Sequence, residues 1–243
     1  MLEKAQSQFR FVDCRWELGG PGRGRELYLE GHIPGASFLD VEDDLSDLSV
    51  PAAGRHPLPS AERFAAAAGR AGIGDDTFVV AYGNMGGAER LWWLLRHFGH
   101  DACAVLLPGI DAWGGPLASG DEAIERATFT PRERDDDLVQ ADELARRLAD
   151  PSLLVVDART ATRWRGEPNP IDDRPGRIPG ARNAPWNEPL PELPPSGELV
   201  AYCGSGVTAC VVLHRASLAG REGRLYPGSW SEWSLRGLPI ERG

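Results

Sequence analysis

VVDAR at residues 155–159 answers FVDCR at residues 11–15, and this correspondence decides the fold. Downstream, RIPGA (177–181) repeats HIPGA (32–36), LVAY (199–202) repeats VVAY (79–82), and PGSWSEW (227–233) answers PGIDAW (108–113). The offset is 144 residues between Asp13 and Asp157 and 145 between Pro34 and Pro179. It falls to 120 between Tyr82 and Tyr202 and stays at 120 between Trp113 and Trp233. The chain is therefore an internal duplication. Its second copy is 25 residues shorter between the IPGA turn and the AY segment.

Each copy alternates strand and helix patterns. FRFVD, FVVAY, CAVLL, LLVVD and ELVAY are short apolar runs with β-branched residues, suited to strands buried on both faces. Ser60 precedes AERFAAAAGRAGI, a cap residue followed by strong helix formers; AERLWWLLRHFG and ADELARRLAD read as further helices. The alternation predicts an α/β protein of two tandem domains, each a parallel sheet flanked by helices. The extra residues of the first copy include the Ser60 helix. The second copy has NAPWNEPLPELPPSGE (183–198) instead, too rich in proline for a helix, so the second domain should lack one helix. The polar, charged stretch 119–137 reads as a linker between an N-terminal domain, 1–118, and a C-terminal domain, 138–243.

A chain of 243 residues with 42% hydrophobic residues can bury two small cores. Its net charge of −10 argues against nucleic acid and anionic membrane as partners. No apolar run approaches the ~20 residues of a membrane-spanning helix, and the opening MLEKAQSQFR has no signal-peptide core. Cys14, Cys103, Cys203 and Cys210 form no CxxC pair and no metal-ligand spacing, so the reading calls for no metal and no cofactor and points to a reducing, cytoplasmic setting. His32, His56, His97, His100 and His214 do not cluster with them; His97 and His100 read as helix-end residues rather than a metal pair.

LVAYCGSGVTACVVLHRASLAG (199–220) is a strand, a tight loop and a helix, with Cys203 at the strand's end. Gly204 and Gly206 permit unusual backbone angles and close approach. The loop aims N–H groups at the thiol, and the positive end of the following helix adds to them, so an anion is favoured there. A cradled thiolate is a good nucleophile and a good holder of a persulfide. The bland alternative is a structural core cysteine, which is how Cys210 reads; a core cysteine needs no glycine-rich cradle.

The loop CGSGVTA resembles the active-site loop of the 3-mercaptopyruvate sulfurtransferases, tandem-domain members of the rhodanese family. The thiosulfate sulfurtransferases are similar but commonly carry cations between the cysteine and the glycine. GSWSEW (228–233), HIPGASF (32–38) and WWLLRHFGH (92–100) share the resemblance, which extends over nearly the whole chain. It implies two rhodanese domains, the second catalytic. It also implies transfer of a sulfane sulfur from a small-molecule donor, 3-mercaptopyruvate or thiosulfate, to a thiol or cyanide acceptor through a cysteine persulfide. Cys203 matches the family nucleophile, and Gly204, Ser205, Gly206, Val207 and Thr208 match its cradle. Ser205 matches a serine that assists proton transfer. Arg163 matches an arginine that binds the substrate anion; Gly19 stands at the equivalent place in the first copy, so this arginine is not part of the repeated frame. Asp157 and Arg159 match a supporting pair, with a structural ion pair, repeated as Asp13 and Arg15, as the plainer reading.

Two departures touch the choice of donor. The family's second arginine after the EP segment has no clean match in EPNPIDDRPG, where Arg174 is a shifted candidate. The acidic member of a serine–histidine triad has no clear equivalent before His32, itself in a turn motif. In the first copy Gly83 stands opposite Cys203, so that domain is expected to be non-catalytic. An idle, partner-binding rhodanese module is the rival reading, opposed by Cys203, its loop and Arg163. A cysteine phosphatase would need an arginine where Ala209 stands.

Overall fold

The computed structural model describes residues 9–243; the opening residues read above for a signal peptide lie mostly outside the described residues. The chain divides into two compact units, one of residues up to Asp47 with Pro59–Arg134, the other of Leu48–Leu58 with Asp135–Gly243.

In the first unit, β1 (Phe9–Cys14), α1 (Arg23–Glu30), β2 (Ser37–Phe38), α2 (Ala61–Arg70), β3 (Phe78–Gly83), α3 (Gly87–His97) and β4 (Cys103–Val105) follow one another. The strands form a parallel sheet in the order β2-β1-β3-β4, with Val12 opposite Ala81 and Asp13 opposite Tyr82. Ser60 caps α2 by accepting from the Arg63 N–H at 3.2 Å. Phe64, Leu91, Leu94, Leu95 and Phe98 are buried in this unit.

In the second unit, α4 (Ala141–Arg146), β5 (Leu153–Asp157), α5 (Ala161–Trp164), β6 (Arg182–Asn183), β7 (Glu198–Tyr202), α6 (Ala209–Leu218), β8 (Arg224–Leu225) and α7 (Ser229–Leu235) repeat the plan. The parallel sheet runs β6-β5-β7-β8, with Val156 opposite Ala201 and Asp157 opposite Tyr202. Its core gathers Val155, Ile178, Val200, Tyr202, Tyr226, Trp230 and Trp233. Residues 184–197 carry no helix, so α2 has no counterpart. The unit instead has α4 ahead of β5, and α7 where the first unit has only the 3₁₀ turn Ile110–Ala112.

The repeated motifs are one packing device used twice. Tyr82 accepts the Ile33 N–H at 3.2 Å, and Tyr202 accepts that of Ile178 at 3.1 Å, so each AY tyrosine rivets its IPGA turn. Arg15 donates to Asp13 through Nε and Nη2, and Arg159 does so to Asp157, the closest contacts being 2.6 and 2.7 Å.

Two sequence boundaries shift. Residues 48–58, read as first-domain, pack with the second unit, because main-chain and side-chain bonds described below tie them there. The stretch 119–137 is not a free tether. Through Arg134 it belongs to the first unit, where Phe129 is buried against Phe64, Ala127 N–H bonds Gly69 O at 3.0 Å and Arg132 N–H bonds Phe98 O at 2.9 Å. No helix among the described residues is long and apolar enough to cross a membrane.

Candidate active site

Parallel sheets offer their functional ends where strands finish and helices begin. Cys203 occupies such a place, after β7 and ahead of α6, with 1% of its surface exposed. The Gly206 N–H points at its Sγ from 3.1 Å and that of Ser205 from 3.5 Å. Gly206 has φ +82°, and a Cβ there would lie 2.4 Å from the Pro227 carbonyl oxygen, so only glycine fits. Val207 is buried and Thr208 leads into α6, a ten-residue helix whose N-terminal end adds its dipole to the N–H groups.

The PGSWSEW segment holds this loop from behind. Ser229 Oγ accepts the Cys203 N–H at 3.1 Å, Trp230 N–H donates to Cys203 O at 2.9 Å, and Ser231 N–H to Gly204 O at 3.0 Å. Ser229 does so from φ +53°, a left-handed conformation uncommon outside glycine and concentrated at functional sites.

Ser205 has a second role. Its Oγ lies 2.7 Å from Nδ1 of His56, and both residues are buried. His56 is brought there by the 48–58 segment, where the Arg55 N–H donates to Ser231 Oγ at 2.9 Å. The sequence reading missed His56. His32, the histidine it considered, sits in the first unit, with Nδ1 2.8 Å from Tyr28 O, Nε2 3.3 Å from Glu122 and its ring stacked on Tyr28. That is a structural setting. The available signal was that GRHPLPS (54–60) falls within the residues that the second copy lacks.

Arg163, on α5, lies against the loop: a Cβ on Gly204 would be 2.9 Å from its Nη2. Asp172, also unforeseen, grips it through Nε at 2.7 Å and Nη2 at 2.5 Å, leaving Nη1 without a hydrogen bond among the described residues. Asp172 also reaches Arg159 at 3.3 Å, so Asp157, Arg159, Asp172 and the half-buried Arg163 form one chain of alternating charge. Burial pushes the Asp172 carboxyl up, but Arg163 and Arg159 outweigh it and hold it below the usual carboxylate range. Arg159 further stacks over Trp230, 4.5 Å from the ring centre. Its pairing with Asp157, matched by Arg15 and Asp13, is the frame of the fold. Arg174 does not join this chain; its Nη1 donates to Ser234 O at 2.9 Å.

The other thiols are set differently. Burial pushes Cys103 up to about 12. Cys14 is raised well above the usual thiol range by burial and by the neighbouring Asp13 carboxylate. Cys210 is fully buried on α6, with Sγ 3.4 Å from Gly206 O.

Two α/β units built on one plan, one of them ending a strand in a cysteine-centred N–H cradle, define a tandem rhodanese architecture. The chain matches the rhodanese-like domain family over residues 1–115 and 140–236. It is 41% identical over 249 residues to a Pseudomonas aeruginosa protein named for 3-mercaptopyruvate sulfurtransferase activity, covering 91% of this chain and 88% of that one. A Mycobacterium tuberculosis protein, SseB, named for thiosulfate sulfurtransferase activity, is 36% identical over 259 residues, covering 96% and 90%. The crystal structure of SseA from Escherichia coli, a 3-mercaptopyruvate sulfotransferase, superposes with a TM-score of 0.81 at 31% identity over 95% of each chain. The chain belongs to the rhodanese-like family, and it is an enzyme of the sulfurtransferase class.

Proposed function

We propose that the protein takes a sulfane sulfur from 3-mercaptopyruvate onto Cys203 and passes it to a thiol or cyanide acceptor. The observation that carries this reading is the 2.7 Å contact between Ser205 Oγ and His56 Nδ1, made by the residue whose N–H also faces the Cys203 sulfur. The Cys203 thiolate attacks the donor's sulfur, the carbon–sulfur bond breaks, and its electron pair leaves on carbon as the pyruvate enolate. Ser205 supplies the proton that turns this enolate into pyruvate, and His56 replaces the proton on Ser205. Cys203 then carries the added sulfur as a persulfide, stabilised by the Gly206 and Ser205 N–H groups. The donor's carboxylate faces Nη1 of Arg163, the nitrogen that Asp172 leaves unused.

Thiosulfate is the second donor to compare, because sulfite leaves without needing a proton and so makes no use of the Ser205–His56 pair. The free state of all four cysteines and the net charge of −10 support a cytoplasmic setting without nucleic-acid partners. The test is intact mass after incubation with each donor, then kcat/KM for both in wild type and Ser205→Ala. The expected result is a gain of one sulfur, lost in Cys203→Ser, and a fall of about 100-fold or more confined to 3-mercaptopyruvate. Equal effects on both donors would remove the serine's proton role and with it the donor assignment.

A further inference from the structure

Arg163 meets the cysteine loop with a charge that is already balanced. Its Nη2 and Nη1 would stand 2.9 and 3.5 Å from a Cβ on Gly204, the residue after Cys203. Its side chain is 16% exposed, whereas that of Asp172, which takes its Nε and Nη2, is 1% exposed. Asp157 answers Arg159 in the same way, so the four side chains sum to zero charge. The loop residues 204–208 add no cation. Arg55 and Arg174 are held by main-chain oxygens instead, Ile171 O at 3.1 Å and Ser234 O at 2.9 Å, with the Asp173 carboxylate on the same rim.

The Asp172 carboxylate is also fixed in place. Asn169 Oδ1 accepts the N–H groups of Ile171 and Asp172, both at 3.0 Å, and Asn169 Nδ2 lies 3.3 Å from Asp172 Oδ2. Burial opposes a charge on this carboxyl, but Arg163 and Arg159 outweigh it, so Asp172 is ionised at neutral pH. A donor anion at the open Nη1 of Arg163 therefore gains a directed hydrogen bond but little net charge. A second negative charge on the donor adds repulsion from the fixed carboxylate, with no matching attraction from an arginine already balanced.

We propose that Asp172 is a specificity-determining residue of the donor site: by balancing Arg163, it selects sulfur donors that carry one negative charge over those that carry two. The assignment rests on the reading of Arg163 as the donor's anion site given above. It adds a basis for donor choice that does not pass through Ser205 and His56. 3-Mercaptopyruvate brings a single carboxylate beside its thiol, whereas thiosulfate is a dianion. The proton supplied through Ser205 governs whether the enolate can leave; the charge set by Asp172 governs which donor is held. Both favour the same donor but depend on different residues, so they can be separated.

The test compares two sulfane donors that differ by one charge and need no proton to leave: thiosulfate, a dianion, and methanethiosulfonate, a monoanion. With either, the Cys203 thiolate attacks the donor's outer sulfur and a new sulfur–sulfur bond forms. The donor's own sulfur–sulfur bond breaks, and its electron pair leaves on sulfite or methanesulfinate, so no oxidant or reductant is consumed. The readout is the ratio of second-order loading rate constants, thiosulfate over methanethiosulfonate, followed by intact mass as the gain of one sulfur. Asp172→Asn keeps an oxygen for Arg163 while removing the charge, and should raise the ratio about 10-fold. Asp172→Glu should return it toward wild type. Asn169→Lys places a cation beside the same carboxylate without altering the Arg163 pair, and should raise the ratio about 3-fold. A ratio within about two-fold of wild type in Asp172→Asn overturns the assignment, as does an equal fall for both donors. Where Asp172→Asn does not fold, an unchanged ratio in Asn169→Lys overturns it. Arg163→Gln should slow loading by both donors about 10-fold or more. Unchanged loading in that variant overturns Arg163 as the anion site and this assignment with it. Slowed loading there, with an unchanged ratio in Asp172→Asn, overturns this assignment alone.

Discussion

Gly206→Ala tests the cradle most directly, because two independent features of the structure oppose a side chain there. The residue has φ +82°, and the left-handed region costs a residue with a Cβ about 1–2 kcal/mol. The new Cβ would also stand 2.4 Å from Pro227 O and 3.2 Å from Pro227 C, both main-chain atoms that cannot turn aside. Overpacking of this kind adds about 1–3 kcal/mol, so an undistorted loop would lose about 2–5 kcal/mol of stability. The alternative is for the loop to move. That relieves the contact by swinging the Gly206 N–H away from the sulfur it now faces at 3.1 Å. A hydrogen bond to a charged group contributes about 1.5–3 kcal/mol, so sulfur loading would slow about 10- to 150-fold. Urea denaturation and single-turnover loading, measured on the same preparation, report the two losses. Gly204→Ala is the comparison: its Cβ meets the Arg163 guanidinium at 2.9 Å, the far end of a flexible side chain, and should cost less stability than Gly206→Ala. If Gly206→Ala stays within about 0.5 kcal/mol of wild type and loads at an unchanged rate, the cradle argument is wrong.

Two further outcomes follow from the charges. Asp172→Asn should destabilise the second unit by about 3 kcal/mol at pH 7, since it removes one partner from a buried pair. The Asp172 carboxyl titrates below its ordinary value, so this contribution is fully present above the ordinary carboxylate pKa and is lost as pH falls through the lower folded one. Urea midpoints of wild type and variant should therefore converge in strong acid; a gap that persists there would exclude the ion pair as its source. Brief iodoacetamide treatment at pH 8, read by peptide mass, should leave Cys14 and Cys103 unmodified in the folded protein, because burial raises Cys103 to about 12 and Cys14 well above the usual thiol range. Prompt labelling of Cys103 in the folded protein would contradict that effect of burial.

What repeats in the sequence was legible, and what occurs once was legible only where a local pattern marked it. The IPGA and AY pairs recur because Tyr82 and Tyr202 each hold a turn N–H, and burying such a bond fixes both partners. The absent helix was readable from the prolines of 183–198. Cys203 and Arg163 could be singled out, the first by its flanking glycines and the second by Gly19 opposite it. His56 could not, because its partner Ser205 lies 149 residues away and neither periodicity nor spacing encodes that contact. Asp172 was hidden in a coil segment scanned for cations, although it is the carboxylate there that organises Arg159 and Arg163. Phe129 shows the same limit: one aromatic in a charged stretch reads as linker until Phe64 is seen beneath it.

The first unit explains why one copy carries the thiol and the other does not. Gly83 occupies the place equivalent to Cys203, and a Cβ there would lie 2.8 Å from Cys14 O and 3.0 Å from Cys14 C. Both are main-chain atoms of the neighbouring strand, so a cysteine at 83 would force β1 and β3 apart. Beyond it, the Asn84 side chain accepts the Trp16 N–H at 2.9 Å, and Met85 takes φ +47°. The loop is thus closed on its own sheet rather than wrapped around a sulfur. The Asp–Arg pair and the tyrosine rivet are common to both units because the sheet needs them. Cys203, Ser205 and Arg163 belong to one copy, whose loop turns its Ser205 and Gly206 N–H groups toward a sulfur. The same duplication therefore yields the sheet frame twice and a thiol-centred N–H cradle once, with the difference set by whether a Cβ fits where the third strand in chain order ends.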